Sequence, residues 1–283
     1  MSLPTPTDDL SRFVGRSMQA EDVVTPQLVQ RFLACLAPFA PNQVAGDVPL
    51  GLHWCLAPEA LPMHQLGADG HAARGEFLPD LPLPRRMWAG GEIEFLAPIH
   101  VGDTVVRLSR VGSVKMKQGR SGSLCFVQVE HELSTAAGVA IRERQDIVYR
   151  EAMERSAEPA PPPAEPTSAN DSSWVLDPSP VLLFRYSALT FNGHRIHYDQ
   201  PYATGVEGYA GLVVHGPLQA SVLLNAAARI GERAPRHFSY RGLRALIAGA
   251  PARVCARRRT ESEVQCEVRN ALGQVTMQAT ARW

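Results

Sequence analysis

Residues Phe184 to Pro217 read FRYSALTFNGHRIHYDQPYATGVEGYAGLVVHGP, and their order decides how the rest of the chain is laid out. A helix-like run gives way after Thr190 to a polar turn, then to a glycine-containing loop that ends in His-Gly-Pro before an apolar segment. The stretch holds three of the chain's nine histidines, His194, His197 and His215. Imidazoles, an amide side chain and exposed glycine N–H groups are what acid/base chemistry on an acyl group requires. The remainder reads as scaffold for this stretch.

Downstream, Leu218–Ile230 (LQASVLLNAAARI) is apolar nearly all round and predicts a buried helix. Strand signals follow at Phe238–Leu246, Ala252–Arg259, Glu263–Arg269 and Gln274–Arg282. Val264, Cys266 and Val268 alternate with polar neighbours, and Asn270–Gly273 is a hairpin turn. Upstream, Trp174–Leu176 is a short apolar piece and Pro180–Thr190 a helix. Before them, residues 158–173 (EPAPPPAEPTSANDSS) suit an extended linker and could build no core.

The first half repeats this order. Thr25-Pro26 opens a helix, with Thr25 as N-cap and Leu28, Val29, Phe32, Leu33 and Leu36 at helical spacing; Pro38 and Pro41 end it. Residues 42–91 are rich in Gly, Pro and His without a strong period, a long ordered excursion of the kind that often carries function. Strands are expected at Glu92–Phe95, Thr104–Val111, Ser123–Glu132 and Ala140–Tyr149, with turns at residues 118–122 and 137–138.

Composition narrows the class. The chain has 283 residues, 45% hydrophobic and 20% charged, enough for two domains with real cores. Lys+Arg and Asp+Glu both number 28, which argues against a broad nucleic-acid or anionic-membrane surface. The five cysteines are scattered with no Cys-x-x-Cys pair, so neither a zinc site nor a disulfide framework is indicated. No secretory signal or membrane span is expected, and the compartment expected is the cytoplasm.

Each half thus predicts a helix packed on an antiparallel sheet, in an α+β class. One long helix wrapped by a curved antiparallel sheet, used twice, is a double hotdog. The expected domains are residues 1–157 and 174–283, with 158–173 as linker.

The turn Phe191-Asn192-Gly193-His194-Arg195-Ile196-His197, with His215-Gly216 following, resembles the Gly-Asp-x-Asn-Pro-aliphatic-His…His-Gly motif of MaoC-like, R-specific enoyl-CoA hydratases. The wording FNGHRIHYD is most similar to tandem-hotdog 3-hydroxyacyl-thioester dehydratases of the mitochondrial type and to mesaconyl-C4-CoA (3-methylfumaryl-CoA) hydratases. PRRMWAGGEIEF and PIHVGD, in the first half, resemble their N-terminal dehydratase-like repeat.

The resemblance implies reversible hydration of an α,β-unsaturated acyl-CoA, a C4–C5 group such as mesaconyl-C4-CoA or itaconyl-CoA, with CoA as part of the substrate and no metal or other cofactor. It places His197 as acid/base group, since imidazole exchanges protons near neutrality. Gly216, at the start of an apolar helix, is the expected oxyanion donor through its N–H. The motif's Asp is Asn192 here, which cannot act as a carboxylate base but can hold a water. His194 replaces the motif's Asn and Arg195 its Pro. His194, Arg195, His215, Arg85 and Arg86 are candidate substrate contacts, and Asp199 is a turn cap. Trp54, Trp88, Tyr186 and Phe191 are core or acyl-pocket residues.

Two other readings stand beside the hydratase: a hotdog acyl-CoA thioesterase, which normally needs a carboxylate, and a non-catalytic acyl-CoA binding module. Homodimerisation is open; neither nucleic acid nor membrane is an expected partner.

Overall fold

The computed structural model describes residues 10–40, 48–119, 122–151 and 172–283. The first half contains strand β1 (Ser17–Val23), helix α1 (Pro26–Leu36) and strands β2 (Arg85–Phe95), β3 (Thr104–Gly119), β4 (Gly122–Thr135) and β5 (Gly138–Arg150). The second contains β6 (Ser172–Leu176), helices α2 (Pro180–Thr190) and α3 (Gly216–Gly231), and strands β7 (His237–Gly242), β8 (Ala252–Thr260), β9 (Glu263–Arg269) and β10 (Val275–Arg282). The ten strands of the described residues form one sheet in the order β1-β3-β4-β5-β2-β7-β10-β9-β8-β6, and all their pairings are antiparallel. The halves meet where β2 pairs with β7, Gly91 opposite Tyr240.

Local chemistry accounts for the helices. Thr25 caps α1 by accepting the Leu28 N–H at 3.1 Å, and Ser179 caps α2 by accepting that of Leu182 at 3.3 Å. Pro26 and Pro180 occupy first turns, where a missing N–H costs nothing. Helix α3 is buried continuously from Leu218 to Ala228 and lies across β8, β9 and β10. Its alanines and Ser221 let neighbouring backbone approach closely. A Cβ on Gly51 would come within 2.7 Å of Ser221 Oγ, and Asn225 Nδ2 donates to the Leu50 carbonyl at 2.8 Å. The long excursion of the first half is thereby pinned to the central helix of the second, and one apolar core runs through both halves.

The two hotdogs are unequal. Helix α1 has 11 residues against 16 in α3, and it packs on α2. Part of the first half's core is a buried 3-10 turn, Leu52–Cys55. The excursion is also shorter than expected, because Arg85–Gly91 are the first residues of β2. Glycines 90 and 91 hide the strand signal, yet both are needed: a Cβ on Gly91 would lie 2.4 Å from Tyr240 Oη. Strand β1 was not expected; its pattern of half-exposed residues, SMQAEDV, belongs to a polar edge strand. Strand β7 ends at Gly242, since the N–H of Leu243 turns to the Thr276 carbonyl at 2.8 Å. Of the expected linker, Ser172 and Ser173 belong to β6, and the rest lies outside the described residues.

A buried carboxylate closes the junction. Glu143 on β5 accepts Trp54 Nε1–H at 2.8 Å, the Tyr240 hydroxyl at 3.1 Å and Gln145 Nε2–H at 3.0 Å. Burial raises its pKa and these donors oppose the rise. The Tyr240 ring stacks on Trp88 with centroids 4.5 Å apart.

Candidate active site

Helix α2 stops at Thr190 because Phe191 adopts a left-handed conformation, φ 51°, and the Asn192 N–H returns to the Ser187 carbonyl at 2.9 Å. The Asn192 side chain then accepts the His194 N–H at 2.9 Å, an Asx turn that shapes the following loop. Arg195–His197 form one 3-10 turn, and Asp199 caps the next by accepting the Tyr202 N–H at 3.1 Å.

His197 is buried, and its tautomer is fixed. Nδ1 lies 2.7 Å from the Val213 carbonyl, which can only accept, so Nδ1 carries the proton and Nε2 presents a lone pair. Val213 is itself anchored, its N–H donating to the Ile196 carbonyl at 2.9 Å. Burial pushes the His197 pKa down to about 4, against the opposing bond to Val213. The ring is therefore a neutral base at physiological pH. His215 stacks behind it at 3.6 Å and bonds through Nε2 to Ser187 Oγ at 2.8 Å. Burial first, and the neighbouring His197 and His194 second, keep His215 neutral too.

A cavity of about 1370 Å³ opens over this turn. Its walls include Asn192, His194, His197 and Gly216 from the second half, and His71, Arg86 and Trp88 from the first. As the first residue of α3, Gly216 has no intrahelical acceptor for its N–H, and the positive end of the helix faces the same space. A neutral imidazole and a helix-start N–H on one cavity can move a proton while a neighbouring oxygen gains charge.

Several expected contacts fall elsewhere. Arg195 does not line the cavity: its Nε and Nη2 grip Asp199 at 3.0 and 2.7 Å, and Nη1 reaches the Ala68 carbonyl. His215 sits behind His197 and outside the cavity wall. Arg85 does reach the wall, but its guanidinium is taken by Glu207 and the Val206 carbonyl. Arg86 reaches it with Nη2 3.8 Å from Asp69. Phe191 is 61% exposed, whereas Trp54 and Tyr186 are core; of the four aromatics only Trp88 lines the cavity.

The residues that sequence reasoning missed come from the excursion. A tight loop bridged at Leu66 and Ala72 presses its tip on the Asn192–His197 turn: the Arg195 N–H donates to the Asp69 carbonyl at 2.9 Å. Gly70 and Gly193 meet so closely that a Cβ on Gly70 would lie 2.0 Å from the Gly193 oxygen. This contact brings His71 to His194 (ring centroids 4.1 Å apart) and His194 to His197 at 5.6 Å. Asp69 Oδ2 lies 3.2 Å from His71 Nδ1. Burial raises the Asp69 pKa, but the hydrogen bond to His71 and the charge of Arg86 outweigh it, so the carboxylate stays ionised. Asp69, His71 and His194 place ligand-type atoms within 4.8 Å of one another, a spacing that could hold a cation. The Arg86 guanidinium beside Asp69 already neutralises that carboxylate and opposes a further positive charge. Only a run of Gly, His and Asp in a loop marked this segment in the sequence.

Two hotdogs joined edge to edge, with an imidazole base and a helix-start donor on a shared cavity, define the class of double-hotdog hydro-lyases acting on acyl thioesters. The model of the hydroxyacyl-thioester dehydratase type 2 family matches residues 51–248, and the chain belongs to that family. It is 42% identical over 254 residues to the mesaconyl-C(4)-CoA hydratase of Chloroflexus aurantiacus, covering 88% of this chain and 89% of that protein. The mitochondrial hydroxyacyl-thioester dehydratase type 2 of Schizosaccharomyces pombe is 27% identical over 231 residues, covering 72% and 76%. Among solved structures, HtdX of Mycobacterium tuberculosis superposes with a TM-score of 0.65 at 21% identity, covering 94% of this chain and 99% of that one. A Mycobacterium tuberculosis protein described as a double hotdog superposes with a TM-score of 0.57 at 11% identity, covering 95% and 96%. Both support the fold.

Proposed function

We propose that the chain adds water reversibly across the α,β double bond of a short or branched C4–C5 acyl-CoA, of which mesaconyl-C4-CoA and itaconyl-CoA are the leading candidates. The observation that carries the reading is His197: Nδ1–H is spent on Val213, so Nε2 is a free, neutral base on the cavity that Gly216 also lines. In this reading Nε2 takes a proton from water as oxygen adds to the β-carbon. The thioester oxygen gains enolate charge and is held by the Gly216 N–H. Asn192, with Oδ1 committed to the loop, has its amide N–H group left for the water.

Arg244 supports an anionic ligand. It lines the same cavity, its Nε is buried, and no hydrogen bond or ion pair to its guanidinium is found among the described residues. A CoA phosphate or a distal carboxylate would complete it. The reading calls for no metal or other cofactor. All five cysteines are buried and none forms a disulfide, which favours a reducing compartment such as the cytoplasm. No helix among the described residues is long and apolar enough to cross a membrane. Pairing of two copies through hotdog sheets is a further proposal. The thioesterase reading finds little support, since Asp69, the carboxylate nearest the histidines, is occupied by His71 and Arg86.

The test is an ultraviolet assay on crotonyl-CoA and mesaconyl-C4-CoA. Loss of enoyl-thioester absorbance without free thiol is the expected outcome. Thiol release would replace the proposal with hydrolysis, and no change with either substrate would reject it.

A further inference from the structure

The motif of the MaoC-like enoyl-CoA hydratases that this turn resembles places a carboxylate beside its histidine, and this chain has Asn192 there. The excursion of the first half brings a carboxylate back by another route. We propose that His71, held by Asp69, is a second catalytic acid/base group and delivers the proton to the α-carbon of the substrate, with His194 linking it to His197. This rests on the hydratase reading above.

The geometry argues it in steps. Asp69 Oδ2 faces His71 Nδ1 at 3.2 Å, and Asp69 Oδ1 also accepts the His71 backbone N–H at 3.1 Å, so one carboxylate holds both the ring and the backbone of His71. With Nδ1–H turned to the carboxylate, Nε2 is the nitrogen left for the cavity that His71 lines. An ionised carboxylate behind an imidazole orients it and stabilises the imidazolium when a proton arrives, as in hydrolase triads. The loop is held by backbone, through Asp69 C=O to Arg195 N–H at 2.9 Å and through the Gly70–Gly193 contact. His71 therefore moves with the catalytic turn although it lies more than a hundred residues away in the chain.

The proton balance closes without an outside donor. Water loses a proton to His197 Nε2 as its oxygen bonds to the β-carbon, and the C=C pair moves to the α-carbon and thioester oxygen as an enolate. The proton passes from His197 through His194 to His71, whose imidazolium is stabilised by Asp69. His71 gives it to the α-carbon, the enolate collapses to the thioester, and all three histidines end neutral, His194 with its proton on the opposite ring nitrogen until exchange with water in the cavity resets it. In dehydration the same groups run backwards, and His71 removes the α-proton.

The experiment separates this from a single-base mechanism run by His197. The 3-hydroxyacyl-CoA formed by wild type from crotonyl-CoA or mesaconyl-C4-CoA is incubated in D2O, and α-deuterium uptake and water loss are followed together. His71→Ala is expected to lose both by about 100-fold or more, with KM within about threefold. His197→Ala is expected to lose water elimination while retaining α-exchange. Asp69→Asn should lower kcat about tenfold or more, with partial recovery in Asp69→Glu, as a positioning residue would. Full kcat in His71→Ala, or α-exchange abolished equally by His197→Ala, would overturn the proposal, as would an equivalent of tightly bound transition metal per chain. If His71→Ala does not fold, His71→Gln is read in its place. A wild type that hydrates no enoyl-CoA rejects the hydratase reading and this inference with it, whereas an active wild type with an indifferent His71 rejects the inference alone.

Discussion

The indole of Trp88 lies so close to the Gly216 α-carbon that a Cβ there would come within 2.4 Å of Trp88 Cε3. Gly216 is thus required twice, as the first N–H of α3 and as the only residue small enough to sit under that ring. Trp88 in turn stacks on Tyr240, whose hydroxyl bonds Glu143, so the N-terminal end of α3 rests on the junction between the two halves. Gly216→Ala must displace either the ring or the helix start. We expect kcat to fall about tenfold or more with the fold retained, in keeping with the cost of disturbing one oxyanion donor. Gly216→Ala with Trp88→Leu should recover part of the loss, measured as non-additivity in a double-mutant cycle.

Glu143 tests the junction itself. Glu143→Ala would leave the Trp54 N–H and the Tyr240 hydroxyl buried without their acceptor, at about 3–5 kcal/mol in urea unfolding. Tyr240→Phe removes one bond and should cost about 1 kcal/mol. If both substitutions cost the same, the network does not hold the halves together.

Much of this was legible in the sequence, for physical reasons that differ by element. Capped, proline-started helices such as Pro180–Thr190 announced themselves locally, and alternating strands such as Glu263–Arg269 carried a clean period of two. The turn from Asn192 to His197 was legible as a turn because its polar and glycine residues lie together in one short stretch. Strand β1 was not, since a polar edge strand has no alternation to show, and the start of β2 was disguised by the two glycines that the junction requires. The placement of Asp69 and His71 beside the turn was not legible, because it depends on a backbone contact between Gly70 and Gly193, which no local pattern encodes.

That contact is itself a prediction. Gly70 has φ +86° and no room for a Cβ, so Gly70→Ala is strained in backbone and in packing. The excursion should lift from the Asn192–His197 turn, lowering kcat about tenfold or more while most of the chain's stability remains. Unchanged kinetics in a folded Gly70→Ala would show that the excursion does not shape the site.

Arg244→Ala should raise KM by about tenfold and leave kcat nearly unchanged, the signature of lost uniform binding. The choice of substrate tells what the guanidinium holds. An equal KM increase for crotonyl-CoA and mesaconyl-C4-CoA points to CoA, and an increase confined to mesaconyl-C4-CoA points to the distal carboxylate. No increase for either means that Arg244 is not a ligand contact.

The buried histidines make the fold acid-sensitive. Burial holds His53 down to about 3, and His71, His131 and His197 each down to about 4, all below the ordinary value of 6.5. At pH values under 6.5 the unfolded chain binds protons at these rings and the folded chain does not. Their contribution to stability is therefore complete above about pH 6.5 and is lost as pH falls toward 4, at about 1.4 kcal/mol per unit for a fully buried ring. The thermal midpoint should drop steadily between pH 6.5 and 4, and His53→Gln, which removes one such ring outside the cavity, should flatten the slope. In the same window kcat/KM should stay level, since His197 remains a neutral base down to about pH 4. A rate that falls with a midpoint near 6.5 while the chain is still folded would mean that the active base is not this buried imidazole.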